Sequence, residues 1–267
     1  MRYDFKYAGR SLSEFYGVTI SRPPIEIAAY DGEHVDIPGH NGSDYIDKKR
    51  YKDVQFTRKI GFIQRRMPDN PVQKLIEWLG YLHGYQEFED TDHPGMVTYA
   101  DLKDPGSIRN ELNVYLKAEL KFQRVPFWYD KRALTTGIEL PDAAALEAGV
   151  RLFNPYPLDA APLIRVEMKS GALSGNTQFR IRYDNTSFTY LTSRLPLGTA
   201  SAFRKYVYMD CDTGEVYTKL NDSDTTVQYA DVDAPDLLKP GETLFGLLSG
   251  WSNTVESMMI IPRWRCL

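Results

Sequence analysis

The sequence predicts a mainly β protein with one clear α-helix, organised as two domains. Apolar and polar residues alternate with a period of two in several segments, which is typical of half-buried strands. Only one segment carries a convincing apolar stripe of helical period. Around residues 129–162, prolines and a run of alanines replace the alternation. We therefore expect a domain boundary near residue 132, dividing the chain into residues 1–132 and 133–267.

The clearest predicted strand covers residues 114–122, where every even position is apolar and Lys117, Glu119 and Lys121 lie opposite. A similar alternation over residues 54–62 is interrupted by Arg58. Period-two patterns of this kind place one face of the strand on a core. Two further strands are predicted in the second half, with inward residues Ile164, Val166, Met168, Phe179, Ile181 and Tyr183.

Residues 206–218 predict a β-hairpin that turns at Gly214. The helix is predicted over residues 71–83, with Asn70 as N-cap, Pro71 in the first helical position and Gly84 after the end. A second, short helix is predicted over residues 142–149. The stripe of the first helix consists of Val72, Leu75, Ile76, Leu79 and Leu82.

The composition excludes several classes of protein. The 267 residues carry a net charge of −4, which argues against a phosphate-neutralising nucleic-acid binder and against a polybasic membrane anchor. Aromatic residues are abundant, with 18 Tyr and 12 Phe, as expected for large sheets or contact surfaces. Cys211 and Cys266 are too few for a four-cysteine zinc site. The N-terminus lacks a signal-peptide h-region and no segment is long enough to span a membrane, so we expect synthesis in a reducing cytoplasm with free thiols.

Three clusters could carry chemistry. His34, Asp36, His40 and Asp44 could bind a metal, but turn dipeptides around them are typical of an exposed hairpin. Asp92 and His93 could act in acid–base catalysis, but neighbouring residues on an extended chain point to opposite faces. A third cluster of eight acids could bind calcium through its carboxylate oxygens, although its spacing does not match a twelve-residue calcium loop. The alternative is that these acids form a solvated face. These acids are Asp210, Asp212, Glu215, Asp222, Asp224, Asp231, Asp233 and Asp236.

Our prediction is that the chain has no catalytic, cofactor or metal site, because no oriented partner or nucleophile accompanies these clusters. The segment Pro262–Arg–Trp–Arg265 and the many tyrosines could indicate an interaction surface or merely a packed core.

An ordered set of motifs resembles the distal tail proteins of long, flexible-tailed bacteriophages. The set begins with Phe5–Lys–Tyr–Ala–Gly9 and Ser13–Glu–Phe–Tyr–Gly–Val18. Val35–Asp–Ile–Pro–Gly–His–Asn–Gly42 is close to a turn of that family, with His40 in place of the usual Arg. The long strand over residues 51–63 and the helix follow. Leu120–Tyr129 resembles the strand that ends the first domain, with Arg124 in place of a small residue or Cys, and Met258–Arg265 resembles the final strand.

This resemblance implies a non-enzymatic virion protein at the tail tip, made in the cytoplasm of the host bacterium. It implies an N-terminal β-sandwich-like domain with one helix, which forms a homo-hexameric ring around the channel, and an outer C-terminal galectin-like β-sandwich. The tail tube protein would meet one face and a tail-associated lysin or tail-spike protein the other, with receptor-binding proteins on the outer domain in many members. DNA would pass through the ring without sequence-specific binding, and no membrane or cofactor is involved.

In the same family, a hairpin in the region of residues 23–51 reaches round the adjacent subunit. The resemblance therefore implies that Val35, Ile37, Tyr45 and Ile46 contact a neighbour. The alternative is a hairpin folded on its own domain. Two rival functions remain: a carbohydrate-binding adhesin that uses the C-terminal sandwich, and a hydrolase that uses His93 or the His34/His40 loop.

Overall fold

The computed structural model describes residues 3–15, 17–63, 71–106, 109–111, 115–174, 177–249 and 253–267. The chain divides into two compact units, Met1–Trp128 with Leu267, and Tyr129–Cys266. Both units are built mainly from antiparallel strands, which confirms the predicted mainly β fold class. The predicted N-cap Asn70 and strand residue Val114 lie outside the described residues.

The first unit contains one large antiparallel sheet with the strand order β2-β1-β7-β8-β10-β6-β3, and β9 lies beside β10. The strands are β1 (Phe5–Tyr7), β2 (Arg10–Ser11), β3 (Gly17–Thr19), β6 (Val54–Ile63), β7 (Gln86–Asp90), β8 (Met96–Asp104), β9 (Arg109–Glu111) and β10 (Tyr115–Arg124). The two longest strands, β6 and β10, pair from Val54 with Arg124 to Ile63 with Tyr115. Two more strands, β4 (Tyr30–Asp36) and β5 (Ser43–Tyr51), form a separate hairpin.

The inner face of this sheet carries an aromatic core. The rings of Phe5, Phe56, Phe88 and Phe122 lie with centroids 5.1–6.3 Å apart, within the range of stacked and edge-on aromatic pairs. The alternation of residues 114–122 is confirmed where described, since Ala118, Leu120 and Phe122 are buried. Arg58, which interrupts the apolar alternation of residues 54–62, is itself a buried inward residue, so the period of two continues through it.

Helix α1 (Pro71–Gly80) covers part of this core, but it differs from the prediction in length and in its buried face. It ends at Gly80 and not near His83, so Leu82 lies beyond it. Leu75 and Leu79 are buried as predicted, whereas Ile76 is about half exposed and Trp78 is buried instead. Trp78 stacks on Phe15 at 4.7 Å, and its Nε1 donates a hydrogen bond to the Tyr7 carbonyl at 3.0 Å. The indole therefore displaces Ile76, because it offers more apolar area and satisfies a buried carbonyl.

The second unit contains a six-stranded sheet, β12-β23-β14-β19-β20-β21, and a four-stranded sheet, β13-β22-β15-β16. The inward side chains of both sheets belong to one hydrophobic core, as in a sandwich. The strands are β12 (Ile138–Leu140), β13 (Val150–Asn154), β14 (Leu163–Met168), β15 (Gln178–Tyr183), β16 (Thr186–Leu191), β19 (Tyr206–Asp210), β20 (Glu215–Lys219), β21 (Gln228–Tyr229), β22 (Gly241–Ser249) and β23 (Val255–Ile261).

Short elements complete the chain. They are β11 (Trp128–Asp130), β17 (Gly198–Thr199), β18 (Ala202–Phe203), β24 (Arg265–Cys266) and the helices α2 (Lys131–Thr135) and α3 (Ala143–Ala148). The predicted short helix over residues 142–149 is confirmed as α3, with Asp142 Oδ1 accepting a hydrogen bond from the Ala145 amide and Gly149 in the left-handed region after its end. The predicted hairpin is β19–β20, with Gly214 at φ +75°. None of the described helices has the length and apolarity needed to cross a membrane.

Substituting Trp78→Phe tests the indole hydrogen bond. The variant keeps an aromatic ring against Phe15 but removes the indole donor to the buried Tyr7 carbonyl, so we expect a loss of about 1 kcal/mol in the free energy of unfolding. Urea denaturation of the full chain measures it. Ile76→Ala on the same helix is the control and should change stability by less than about 0.5 kcal/mol, as exposed positions do. Equal effects of the two substitutions would contradict the assignment of Trp78 as the anchor.

Candidate assembly surface

The hairpin β4–β5 extends from the first unit without joining its sheet. In the described part of the chain its two strands pair only with each other. The four predicted contact residues, Val35, Ile37, Tyr45 and Ile46, have relative exposures between 36% and 51%. A two-stranded hairpin is marginal in water unless its apolar side chains are covered. The hairpin therefore presents the kind of exposed apolar surface that an assembling protein covers with a partner.

The four residues do not form one patch. Glu33 pairs with Ile46 and Val35 with Asp44, which places Val35 and Ile46 on the same face. Tyr45 lies on the opposite face, where its ring contacts His34 at a centroid distance of 5.1 Å. Adjacent residues of a strand point to opposite sides, so Tyr45 and Ile46 cannot lie flat on one surface.

The extended segment that precedes the hairpin, residues 21–29, exposes two further apolar side chains. Ile25 is 84% exposed and Ile27 is 77% exposed, whereas Ala28 is buried. Neither isoleucine stands out in the sequence, because Pro23 and Pro24 indicate a loop and the alternation is too short for a strand. The sequence signal for them is the alternation Ile25–Glu26–Ile27. It indicates two exposed isoleucines only if the acidic residue between them is taken to face inward.

The inward residue between these isoleucines, Glu26, is held by two buried arginines. Arg58 Nη1 donates to Glu26 Oε1 at 3.1 Å, and Arg124 Nη2 donates to the Glu26 carbonyl at 3.2 Å. Both arginines are almost fully buried, at 3% and 2% exposure. We call this arrangement the Glu26 clamp. It explains both departures noted in the sequence, the Arg58 interruption and the large residue at Arg124, as parts of one anchor for residues 21–29.

The Arg58 end of the clamp continues into a buried polar network. Arg58 Nε donates to the Tyr3 hydroxyl at 2.9 Å, and that hydroxyl donates to Asp90 Oδ2 at 3.2 Å. Arg58 Nη2 also lies 3.5 Å from Asp90 Oδ2. Asp90 Oδ1 lies 2.8 Å from His93 Nδ1, and the His93 ring stacks on Trp128 at 4.0 Å. Burial of the phenol raises the pKa of Tyr3.

The pKa of Asp90 reflects these contacts. Burial alone would raise it, but the hydrogen bond and charge of His93 and the charge of Arg58 outweigh burial and hold the pKa below its usual value. The expectation that His93 lacks an oriented partner is therefore wrong. Its partner is Asp90, three residues earlier and across the turn, and not Asp92. Because Asp90 also binds Arg58 and Tyr3, the pair is part of the network that anchors Glu26.

The other candidate clusters are placed as follows. His34, Asp36, His40 and Asp44 are spread along the exposed hairpin. No group of three or more His, Cys, Asp or Glu side chains in the described ranges could hold a metal ion. Among the eight acids, Asp210 binds Arg263 at 2.8 Å, Asp212 binds Arg265 at 3.0 Å and Asp222 binds Arg165 at 2.7 Å. The C-terminal arginines therefore make contacts within the second unit.

Comparison with known proteins identifies the fold. The sequence matches no protein-family model and no curated protein. The Dit protein of phage SPP1, described as a paradigm of the hub adsorption apparatus in phages that infect Gram-positive bacteria, matches with a TM-score of 0.59, at 13% identity over 97% of this chain and 98% of that chain. The chain has the fold of a phage hub protein. The p2 phage baseplate, in its activated conformation with Sr, contains a chain with a TM-score of 0.44, at 9% identity over 97% of each chain.

The SPP1 likeness spans nearly the whole chain and therefore includes both units of this protein. It agrees with the mainly β, sandwich-like fold expected from the resemblance to distal tail proteins.

Substituting Arg58→Met tests the Glu26 clamp. The variant leaves the Asp90 carboxylate and Glu26 without their shared guanidinium, so we expect unfolding to become about 3–5 kcal/mol easier, as when one partner of a buried ion pair is removed. The matched control is Arg22→Met, which removes an exposed ion pair with Asp92 and should cost less than about 1 kcal/mol. Urea denaturation measures both, and similar losses would show that Arg58 does not anchor the network.

The lowered pKa of Asp90 predicts a pH dependence. The charged carboxylate stabilises the folded state fully above the unfolded pKa of about 3.9, and this contribution is lost as the pH falls through the lower, folded pKa. Asp90→Asn should therefore reduce stability at neutral pH and at pH 5, and the difference from the natural chain should shrink only below about pH 4. Urea midpoints of both proteins across this range provide the measurement. A difference that already shrinks between neutral pH and pH 5 would contradict it.

Proposed function

We propose that this protein is a structural component of a long, flexible phage tail, located at the tail tip of the virion and made in the cytoplasm of the host bacterium. It forms a homo-hexameric ring that joins the tail tube to the host-adsorption apparatus. The observation that carries this proposal is the likeness of nearly the whole chain to the SPP1 hub protein. The exposed apolar hairpin supports it, because a protein that assembles into a ring needs an uncovered contact surface.

The two parts of the chain have different roles in this proposal. Residues 1–132 form the ring and residues 133–267 form an outer, galectin-like sandwich. The tail tube protein binds one face of the ring, and a tail-associated lysin or tail-spike protein binds the other. Receptor-binding proteins dock on the outer sandwich, and DNA passes through the channel without sequence-specific contacts.

The ring contact is formed by the hairpin together with the segment before it. Both faces of the hairpin carry apolar side chains, Val35 and Ile46 on one and Tyr45 on the other, and both need to be covered. In this proposal the hairpin therefore lies between two surfaces of neighbouring protomers. Ile25 and Ile27 extend this contact, because the Glu26 clamp turns them outward. A ring closed by head-to-tail contacts requires two different, complementary surfaces on every protomer, so that one surface binds the other surface of the next protomer.

The role is non-enzymatic in this proposal. The most oriented acid–histidine pair, Asp90 and His93, is committed to Arg58, Tyr3 and the Trp128 ring. A catalytic pair needs a reacting group within hydrogen-bond reach, and these contacts are those of an anchor.

The rival adhesin would use aromatic faces of the second unit. On the outer face of the six-stranded sheet, the Tyr208 and Tyr217 rings stack on each other at 5.3 Å. Lys219 lies over Tyr208, and Arg165 and Lys205 lie over Tyr206. The faces of these rings already contact other side chains of the same unit, and a sugar would have to displace those side chains to stack on a ring. This favours the hub over the adhesin.

Mass photometry and negative-stain microscopy of the purified chain test the proposal. We expect a closed ring with six times the 30.6 kDa protomer mass, formed without added ligand. A protein that stays monomeric and binds host-wall glycans through Tyr229, the exposed tyrosine of the same sheet, would support the adhesin instead.

Deleting residues 33–47 and bridging the gap with Gly-Ser should give a folded monomer, because the deletion removes the hairpin part of the ring contact but no core residue. The double substitution Val35→Ser and Ile46→Ser should weaken assembly in the same direction. Ile76→Ser, at an equally exposed apolar position on helix α1, is the matched control and should assemble normally. Rings of unchanged size and thermal stability in the deletion variant would show that the hairpin is not the contact.

A further inference from the structure

The direction of the hairpin is determined at its base. The Lys52 amide donates to the Ala29 carbonyl at 2.8 Å, and Tyr30 pairs with Tyr51 at the first rung. Beyond this base, the described strands β4 and β5 pair with no strand of the sheet. Because the hairpin is held only at its base, its tip has a defined position relative to the domain only if the base is rigid.

The base contains a bulge. Asp31 pairs with Arg50 and Gly32 pairs with Asp47, so Lys48 and Lys49 have no opposite residue on β4. Lys49 adopts φ +54°, and its amide donates to Asp47 Oδ1 at 2.6 Å. Bulges of this kind bend a strand and increase its twist. The bend at this point therefore decides where the tip of the hairpin lies.

Asp31 connects the two sides of the bend. It is only 3% exposed, although it lies at the base of an exposed hairpin. Its carboxylate accepts a hydrogen bond from Arg50 Nε at 2.8 Å and lies 3.4 Å from Lys52 Nζ and 3.9 Å from Lys48 Nζ. Lys48 belongs to the bulge, whereas Arg50 and Lys52 follow it. The hydrogen bond from Arg50 outweighs burial and, with Lys52 and Lys48, lowers the pKa of Asp31, so the carboxylate is charged at neutral pH.

The residue after Asp31 reinforces the bend. A Cβ atom at Gly32 would lie 1.9 Å from the Tyr45 hydroxyl, so the Tyr45 ring packs directly against the backbone there. Four cations, Lys48, Lys49, Arg50 and Lys52, lie within five positions of the chain. Without a charge at Asp31, neighbouring like charges would repel each other across the bulge.

We propose that Asp31 is a positioning residue, whose carboxylate fixes the direction in which the hairpin leaves its domain. It acts on assembly without touching the neighbouring protomer, by holding the hairpin in the orientation that a second copy of the chain accepts. The assembly part of this inference rests on the proposed function, whereas the effect on hairpin direction does not.

Single-molecule fluorescence energy transfer tests the direction. Dyes are attached at His40→Cys near the tip and Lys121→Cys on β10, in a chain with Cys211→Ala and Cys266→Ser, at a concentration too low for assembly. We expect one narrow distance distribution for the parent and a broad one for Asp31→Asn. The matched control is Glu33→Gln, which loses the same charge next to the same Lys48 but is 61% exposed at its side chain, and it should stay narrow.

Mass photometry then tests the effect on assembly. Asp31→Asn should raise the concentration needed for half-maximal ring formation by about tenfold, because the hairpin must then be ordered during association. Glu33→Gln should leave this concentration unchanged, and Asp31→Glu, which restores the charge, should recover part of the loss.

A distance distribution for Asp31→Asn as narrow as that of the parent would overturn the inference. If Asp31→Asn does not fold, the variant Arg50→Gln removes the cation closest to the same carboxylate. This variant should also broaden the distance distribution. An unchanged distribution in Arg50→Gln would equally overturn the inference. Absence of rings in the parent chain would count against the proposed function alone, because the comparison of distances does not depend on assembly.

Discussion

The first unit depends on the burial of two guanidinium groups. Arg58 and Arg124 lie inside the sheet's inner face and converge on Glu26, one on its carboxylate and the other on its carbonyl. A buried arginine is tolerated only when its donors are satisfied and its charge is balanced, and here Glu26, Asp90 and the Tyr3 hydroxyl do this for Arg58. Because the balancing groups come from the N-terminus, the extended segment and the end of β7, these parts of the chain are held in place together.

The proposed function follows from what this anchor leaves uncovered. In residues 21–29 and the hairpin β4–β5, the polar groups of Glu26 and Asp31 face inward and are hydrogen-bonded, whereas the large apolar side chains are exposed. This reverses the usual arrangement of a domain surface, where polar residues face water. In a monomer such a surface would be a liability, and in an assembling protein it is the contact.

Much of the fold could be predicted from the sequence, because alternation directly reports which face of a strand is buried. The strands β10, β14 and β15 and the hairpin β19–β20 follow this rule. The rule fails where a buried position is filled by a charged residue, as at Arg58, since its partners lie far away in the chain. The helical period likewise did not indicate that Trp78 of helix α1 is buried, because the acceptor of its indole is the Tyr7 carbonyl on strand β1, far away in the sequence. The resemblance led to the expectation that Val35, Ile37, Tyr45 and Ile46 contact a neighbour, but it did not indicate that Tyr45 faces away from Ile46, which follows from the pairing register.

The spread of the Glu26 clamp along the chain has a consequence for folding kinetics. Arg124 and Glu26 are 98 residues apart, and Tyr3 and Asp90 are 87 apart. Because forming contacts of such long range requires the sheet to bring distant strands together first, we expect them to form late in folding. Interactions that are absent from the transition state slow unfolding without slowing folding. We therefore expect the clamp to contribute mainly to the lifetime of the folded state, which is set by the rate of unfolding.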